Sequence, residues 1–305
     1  MKTPLMDWLA AKFDSLYHEA RREFFDQVLV YVSVVSFVIH LALVFLANVV
    51  ASPPSVLAAV GKNYFAAIYT PFSFILFYEV FLLIMALPKS TTQSIGKQYE
   101  IVSLIFIRKF FKDIAKLDDI GEFARLSPEV MPALQDVIAG LLMFFLVTLF
   151  LQFSRNSLPA SGSSIRSPHL NLFIAQKKTI ALTLTGVLIL LAVYSLVNYL
   201  EDYSGVIYSG AKAHLDPNTV FYTELFTLMI FTDVLIVLLS VAVSDQYERV
   251  FRNAAFIIST ILIRFSLTAD RQYSGFLAIG GMTFGILTLL IYNYNLRVRA
   301  RQQGP

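Results

Sequence analysis

From Val28 to Val50 the chain reads VLVYVSVVSFVIHLALVFLANVV, a run with no Asp, Glu, Lys or Arg. Such a run limits what the chain can fold into. The hydrocarbon core of a bilayer, roughly 30 Å thick, is crossed by about 20 apolar residues in a helix. Inside lipid every backbone polar group must be satisfied within the protein, so only helices or closed barrels cross. Barrel strands alternate apolar with polar residues, and this run does not, so it reads as a helix. Hydrophobic segments of the same kind cover 27–50, 64–87, 95–112, 130–153, 179–200, 219–243, 253–269 and 273–294. The third and the seventh are interrupted by Arg108 and Arg264. Both count as spans, because polar turns flank them and because they resemble each other. The expected fold is an all-α integral membrane protein of about eight transmembrane helices.

Composition points the same way. The 305 residues are 57% hydrophobic and 15% charged, with a mean hydropathy of +0.66, whereas a soluble domain has about a quarter of its residues charged. There is no cysteine, which excludes disulfides, thiolate metal sites and iron–sulfur clusters. The net charge of +3 is small and gathers at loops and ends, a pattern of membrane orientation rather than of nucleic-acid binding.

Ahead of the first span, Leu5, Leu9, Phe13, Leu16, Ala20 and Phe24 recur at spacings of three and four. Lys12, Asp14, Glu19, Arg21 and Arg22 lie between them. This is one apolar face of a helix. Residues 4–25, within a segment 1–26, are therefore expected to form an amphipathic helix lying on the membrane, with Trp8 as an interface anchor. The alternative is a solvated helix packed on the protein's own loops. Most lysines and arginines fall on the side of the N-terminus, which puts both termini in the cytoplasm of a bacterial-type inner or plasma membrane. The charged stretch 108–125 reads as an outer amphipathic extension of the third helix. The Ser-, Pro- and Gly-rich stretch 154–178 reads as a cytoplasmic linker.

That linker separates two similar halves. YTPFSFILFYEVFLLIMAL (69–87) and YTELFTLMIFTDVLIVLLSV (222–241) both open on Tyr-Thr and reach an acid, Glu79 and Asp233. The next helix of each half carries its arginine in a like frame, IFIRKF at Arg108 and ILIRFS at Arg264, at separations of 29 and 31 residues. KQYE (97–100) and DQYE (245–248) look alike too but fit only with a gap. The expected organisation is two four-helix repeats, 27–153 and 179–296, in parallel orientation, followed by a basic tail 297–305.

The arithmetic of depth joins each acid to its arginine. Counted along the helices, Glu79 and Arg108 lie roughly 12 and 16 Å from the inner face, and Asp233 and Arg264 roughly 15 and 16 Å. A lone charge at mid-bilayer costs about 2.5–3.5 kcal/mol on insertion scales, so partners are expected. A carboxylate can accept both arms of a guanidinium. Either the pairs clamp helical hairpins, or they line a path for an ion or proton and exchange partners as it passes. His40, alone in the middle of the first span, and Asp136 and Glu224, near the outer ends of theirs, are further candidates for such a path. Gly281 and Gly285, in the GMTFG pattern after Gly280, allow close helix contact within the protein or between protomers. Pro71 is expected to kink the second span.

No Gly-rich phosphate loop, HExxH, voltage-sensor arginine ladder or TVGYG-like filter is present. The expectation is a non-enzyme without metal or cofactor, with membrane lipids and a homo-oligomeric or complex subunit as partners and no nucleic acid. It acts as an ion channel or transporter, or else as a non-catalytic membrane subunit or scaffold whose charged pairs are clamps.

Overall fold

The computed structural model describes residues 4–54, 57–58, 60–115, 130–155, 168–209, 217–241 and 246–302. Among them the chain forms nine helices and no strand: α1 Pro4–Leu16, α2 Glu19–Val49, α3 Ala66–Ala86, α4 Thr91–Ile114, α5 Met131–Arg155, α6 Pro168–Ser209, α7 Pro217–Val241, α8 Tyr247–Thr268 and α9 Arg271–Gln302. Breaks fall where the backbone chemistry requires them. α2 stops ahead of Pro53 and Pro54, and α3 stops ahead of Pro88, since proline cannot supply the next helical N–H. Ser90 caps α4 by accepting the Gln93 N–H at 3.4 Å, satisfying one orphan donor.

Seven helices are long and apolar enough to cross a membrane: α2, α3 and α5 to α9. The expected third span, α4, is not one of them by composition. It nevertheless runs between the same two ends of the bundle. At its start, Lys177 of α6 donates to the Lys89 carbonyl at 2.9 Å. At its end, Asn63 donates to the Ala115 carbonyl at 3.3 Å, and Arg271 of α9 binds Asp113. It packs on α3, α5 and α8. Its low hydropathy has a packing cause. Ser94, Gln98, Ser103, Arg108 and Asp113 are buried against protein, while Leu104 faces outward.

Two apolar clusters hold the bundle. One joins Phe13 of α1 to Val80, Leu83 and Ile84 of α3, Ile101 and Ile105 of α4, Leu184 and Leu188 of α6, and Leu225 and Met229 of α7. The other joins Tyr99 and Phe106 of α4, Met143 and Phe150 of α5, Phe256 and Ile263 of α8, and Met282 and Ile286 of α9. Helix α4 contributes to both. Helix α2 packs on α3 and leaves most of its surface exposed.

The helix expected over residues 4–25 divides at Tyr17 and His18, so that 19–26 belong to α2. The apolar spacing runs through the break, which hid it. His18 takes an extended backbone, and Tyr17 turns inward to bond the Thr185 hydroxyl of α6. Burial pushes the Tyr17 phenol above its usual value, against the pull of that bond. Phe13 is buried and Lys178 pairs with Asp14 at 2.6 Å, so α1 is docked on α6, while Leu5 and Trp8 stay exposed. The extension expected over 108–125 is described only to Ala115, and residues 116–129 lie outside the described set. So do 156–167 of the expected linker, whose last part, from Pro168, is already α6, and 303–305 of the tail.

Candidate functional site

Asp233 of α7 and Arg264 of α8 form an ion pair, with side chains 2% and 3% exposed. Both lie far inside helices, in apolar stretches that leave no local alternative to helix. Thr260, one turn before Arg264 and so on the same face of α8, shares its hydroxyl proton between the Ile257 carbonyl at 2.9 Å and the same Asp233 oxygen at 3.3 Å. The second guanidinium amine donates to Gln98 Oε1 at 3.1 Å. Gln98 belongs to α4, in the other half of the chain, and is itself buried. The result is a buried cluster of four side chains joining α4, α7 and α8.

Glu79 of α3 and Arg108 of α4 form the corresponding pair in the first half, with side chains 8% and 10% exposed. The Arg108 Nε also donates to the Leu104 carbonyl at 3.4 Å. The structure thus brings each acid to the arginine that the depths assign to it. Arginine stays protonated in a protein, so any proton taken up in these pairs has to go to the carboxylate.

A third charged group lies at the far end of the bundle from α1. Arg271, at the start of α9, binds Asp113 at the end of α4 through both amines, one of them at 3.1 Å. It reaches Asp136 of α5 at 2.7 Å. Beside it, Lys109 Nζ donates to Ser274 Oγ at 2.9 Å, and that hydroxyl donates to the Ser266 carbonyl at 2.6 Å. Asp136, a candidate for an ion path, is therefore a partner of Arg271. The two carboxylates are buried, while the guanidinium is 41% exposed.

The remaining candidates sit apart from these groups. His40 is half-buried on α2, and its Nδ1 bonds the Thr70 hydroxyl on α3. Glu224 is exposed on α7 and makes no ion pair among the described residues. Gly281 and Gly285 serve contact within the protein. A Cβ on Gly281 would meet Ile263 Cγ1 at 3.0 Å and the Ser259 carbonyl at 3.0 Å, and one on Gly285 would overlap the Tyr99 hydroxyl. Gly280 has open space. Pro71 lies inside α3.

Several members of these groups were not read from the sequence. Thr260 carried a signal, since it stands four residues before Arg264. Gln98 stood in view within KQYE, but an uncharged amide does not announce a partner 166 residues away. The bond between Tyr99 and Ser259, which ties α4 to α8 in the core, had no signal of its own. Asp113 lay within the stretch 108–125, whose charges name no partner on another helix, and Arg271 carried no signal of its own.

Among the described residues no group of three His, Asp or Glu side chains is placed to hold a metal. No protein-family model, curated protein or solved structure matches this chain. With seven of its described helices long and apolar enough to cross a bilayer, and every described element helical, it is a polytopic helical membrane protein.

Proposed function

We propose that the chain is a non-catalytic membrane subunit or scaffold, in which the acid–arginine pairs clamp the bundle and leave its outer helices free for a partner. One observation carries the reading. Arg264 and Asp233 are sealed from solvent, and the guanidinium amine that the acid does not take is held by Gln98 of the other half. A conducting site needs its charge open to water or an exchanging ligand, and protein covers these two side chains almost completely. Helix α2, buried only where it meets α3, presents exposed Tyr31, Val34, Val35, Val38 and Phe45. That surface suits lipid, a second copy or another membrane subunit.

In this reading α4 crosses the membrane with the other seven, giving eight spans in two four-helix repeats. Matching contacts support the repeat. Gly140 of α5 meets Ile107, the residue before Arg108, and Gly281 of α9 meets Ile263, the residue before Arg264. The contacts between halves include the equivalent pairs α4 with α8 and α5 with α9, beside a contact of α3 with α6. The α1 end is cytoplasmic in this arrangement. Lys89, in the turn between α3 and α4, has its ammonium pushed below the usual value by burial and by nearby Lys97 and Arg22, a sign of how densely cations gather there.

A second reading, a channel or transporter, has its own support. Buried pairs recur in both halves, and a third charge group lies at the far end. Ion and proton flux through proteoliposomes separates the two. The scaffold reading expects wild-type flux equal to that of empty vesicles. Flux above that level, altered by Asp233→Asn/Arg264→Gln, overturns it in favour of transport.

A further inference from the structure

Arg252 differs from the other buried or half-buried arginines of the bundle. Arg108, Arg264 and Arg271 each hold a carboxylate, whereas none of the described carboxylates pairs with Arg252. Its Nε and one amine both point at Asn253 Oδ1, at 3.4 and 3.1 Å. Its plane is held over the Tyr292 ring at 4.4 Å, with Phe256 6.0 Å away. Glu248, the acid nearby among the described residues, is engaged by Arg299. One amine of the fork is left for a ligand among the described residues.

This guanidinium lines a groove between α8 and α9, together with Tyr247, the Arg299-paired Glu248, Phe251, Thr288, Ile291 and Asn295. Three features fix what fits there. The groove lies at the start of α8 and the end of α9, where exposed Tyr247 and Tyr294 mark the depth of headgroups. Exposed Phe251 and Ile291 line it on the apolar side. Among the described residues the surrounding charge is positive, because Arg249 and Arg297 stand on the same helix ends while Glu248 is already paired. A guanidinium with a free arm in such a field selects phosphate. Among the described residues a trimethylammonium or ammonium headgroup would find no free acid.

We propose that this groove is a binding site for an anionic phospholipid. Arg252 grips the phosphate, Asn253 and Tyr292 hold the guanidinium flat, and an acyl chain lies along Phe251 and Ile291. The site is independent of the charged pairs and holds for a scaffold or a transporter alike.

Native mass spectrometry of the full chain after delipidation, with dioleoyl phosphatidylglycerol and dioleoyl phosphatidylcholine offered in equal amount, tests it. Wild type should retain phosphatidylglycerol about fivefold to tenfold over phosphatidylcholine, the range one guanidinium at a membrane surface supports. Arg252→Gln should abolish the preference. Asn295→Asp, an exposed change that adds a negative charge to the groove and keeps the test open if Arg252→Gln fails to fold, should reduce it. Arg301→Gln, outside the groove, should keep it. Equal preference in all folded variants overturns the proposal. An equal fall in Arg301→Gln and Arg252→Gln overturns it in favour of a diffuse basic collar. Displacement of bound lipid by excess inorganic phosphate reassigns the site to a free anion.

Discussion

Arg264→Gln is the perturbation whose cost the geometry bounds best. It leaves the Asp233 carboxylate 2% exposed, with the Thr260 hydroxyl as its remaining donor. Removing one partner of a buried ion pair costs about 3–5 kcal/mol. Asp233→Asn belongs to the same class, since it leaves a buried guanidinium with amide oxygens to accept from it but no countercharge. The double change Asp233→Asn/Arg264→Gln removes both charges and leaves amides able to bond each other. Its expected cost is about 1–2 kcal/mol, the scale of imperfectly met neutral hydrogen bonds. The double should therefore cost less than either single change, with a coupling of at least about 4 kcal/mol, above the usual range for contacting residues. A loss of about 4 kcal/mol is roughly a thousandfold in the unfolding constant. Titration of mixed micelles with sodium dodecyl sulfate, followed by far-ultraviolet circular dichroism, reads these values. An internal control is Arg299→Gln, whose pair with Glu248 has side chains 55% and 20% exposed and should matter by about 0–1 kcal/mol. Single costs under about 1 kcal/mol, or a double equal to the sum of the singles, would refute the idea that this charge is sealed in the bundle.

Other outcomes follow from contacts elsewhere. Gly285→Ala drives a methyl into the Tyr99 hydroxyl and should cost about 1–3 kcal/mol. Tyr99→Phe in the same chain should return part of that loss, and Gly280→Ala, which has open space, should be neutral or gain about 0.5–1 kcal/mol from helix propensity; the same micelle titration measures all three. Arg271→Gln, which strips the guanidinium from buried Asp113 and Asp136, should cost about 1–3 kcal/mol, less than a fully buried pair because Arg271 is itself partly exposed. The chain has no cysteine, so single introduced cysteines report sidedness cleanly. Lys62→Cys should react with an impermeant maleimide from outside intact cells and Lys89→Cys only after lysis, and the reverse result inverts the orientation.

Much of the helical layout was legible, because lipid punishes an unsatisfied backbone and leaves long apolar runs as a visible signature. The acid–arginine pairs were legible for a related reason. A permanent cation at mid-bilayer demands an anion at its own depth, and depth can be counted along a helix. Two kinds of feature escaped. Helix α4 looked weak by hydropathy because its polar face points inward at Gln98, Ser103, Arg108 and Asp113, where protein takes the place of lipid. Burial by neighbouring helices is invisible to a window slid along one of them. Partners distant in sequence also escaped, such as Gln98 with Arg264, and Asp113 and Asp136 with Arg271. Neither spacing nor charge at either position names the other. Lys177 shows the same limit. It was counted with the cytoplasmic linker, yet its side chain is buried, with the ammonium on the Lys89 carbonyl.

The central claim is that helix packing shuts water out from the Asp233–Arg264 cluster, and the reactivity of one residue tests it most directly. Thr260 is 1% exposed and bonds Asp233. Thr260→Cys in the otherwise cysteine-free chain, offered a small water-soluble methanethiosulfonate in folded, reconstituted protein, should stay unmodified and react fully once denatured. Modification at the rate of a surface cysteine such as Lys62→Cys would mean that water reaches the buried charges, and the clamp account would give way to a conducting site.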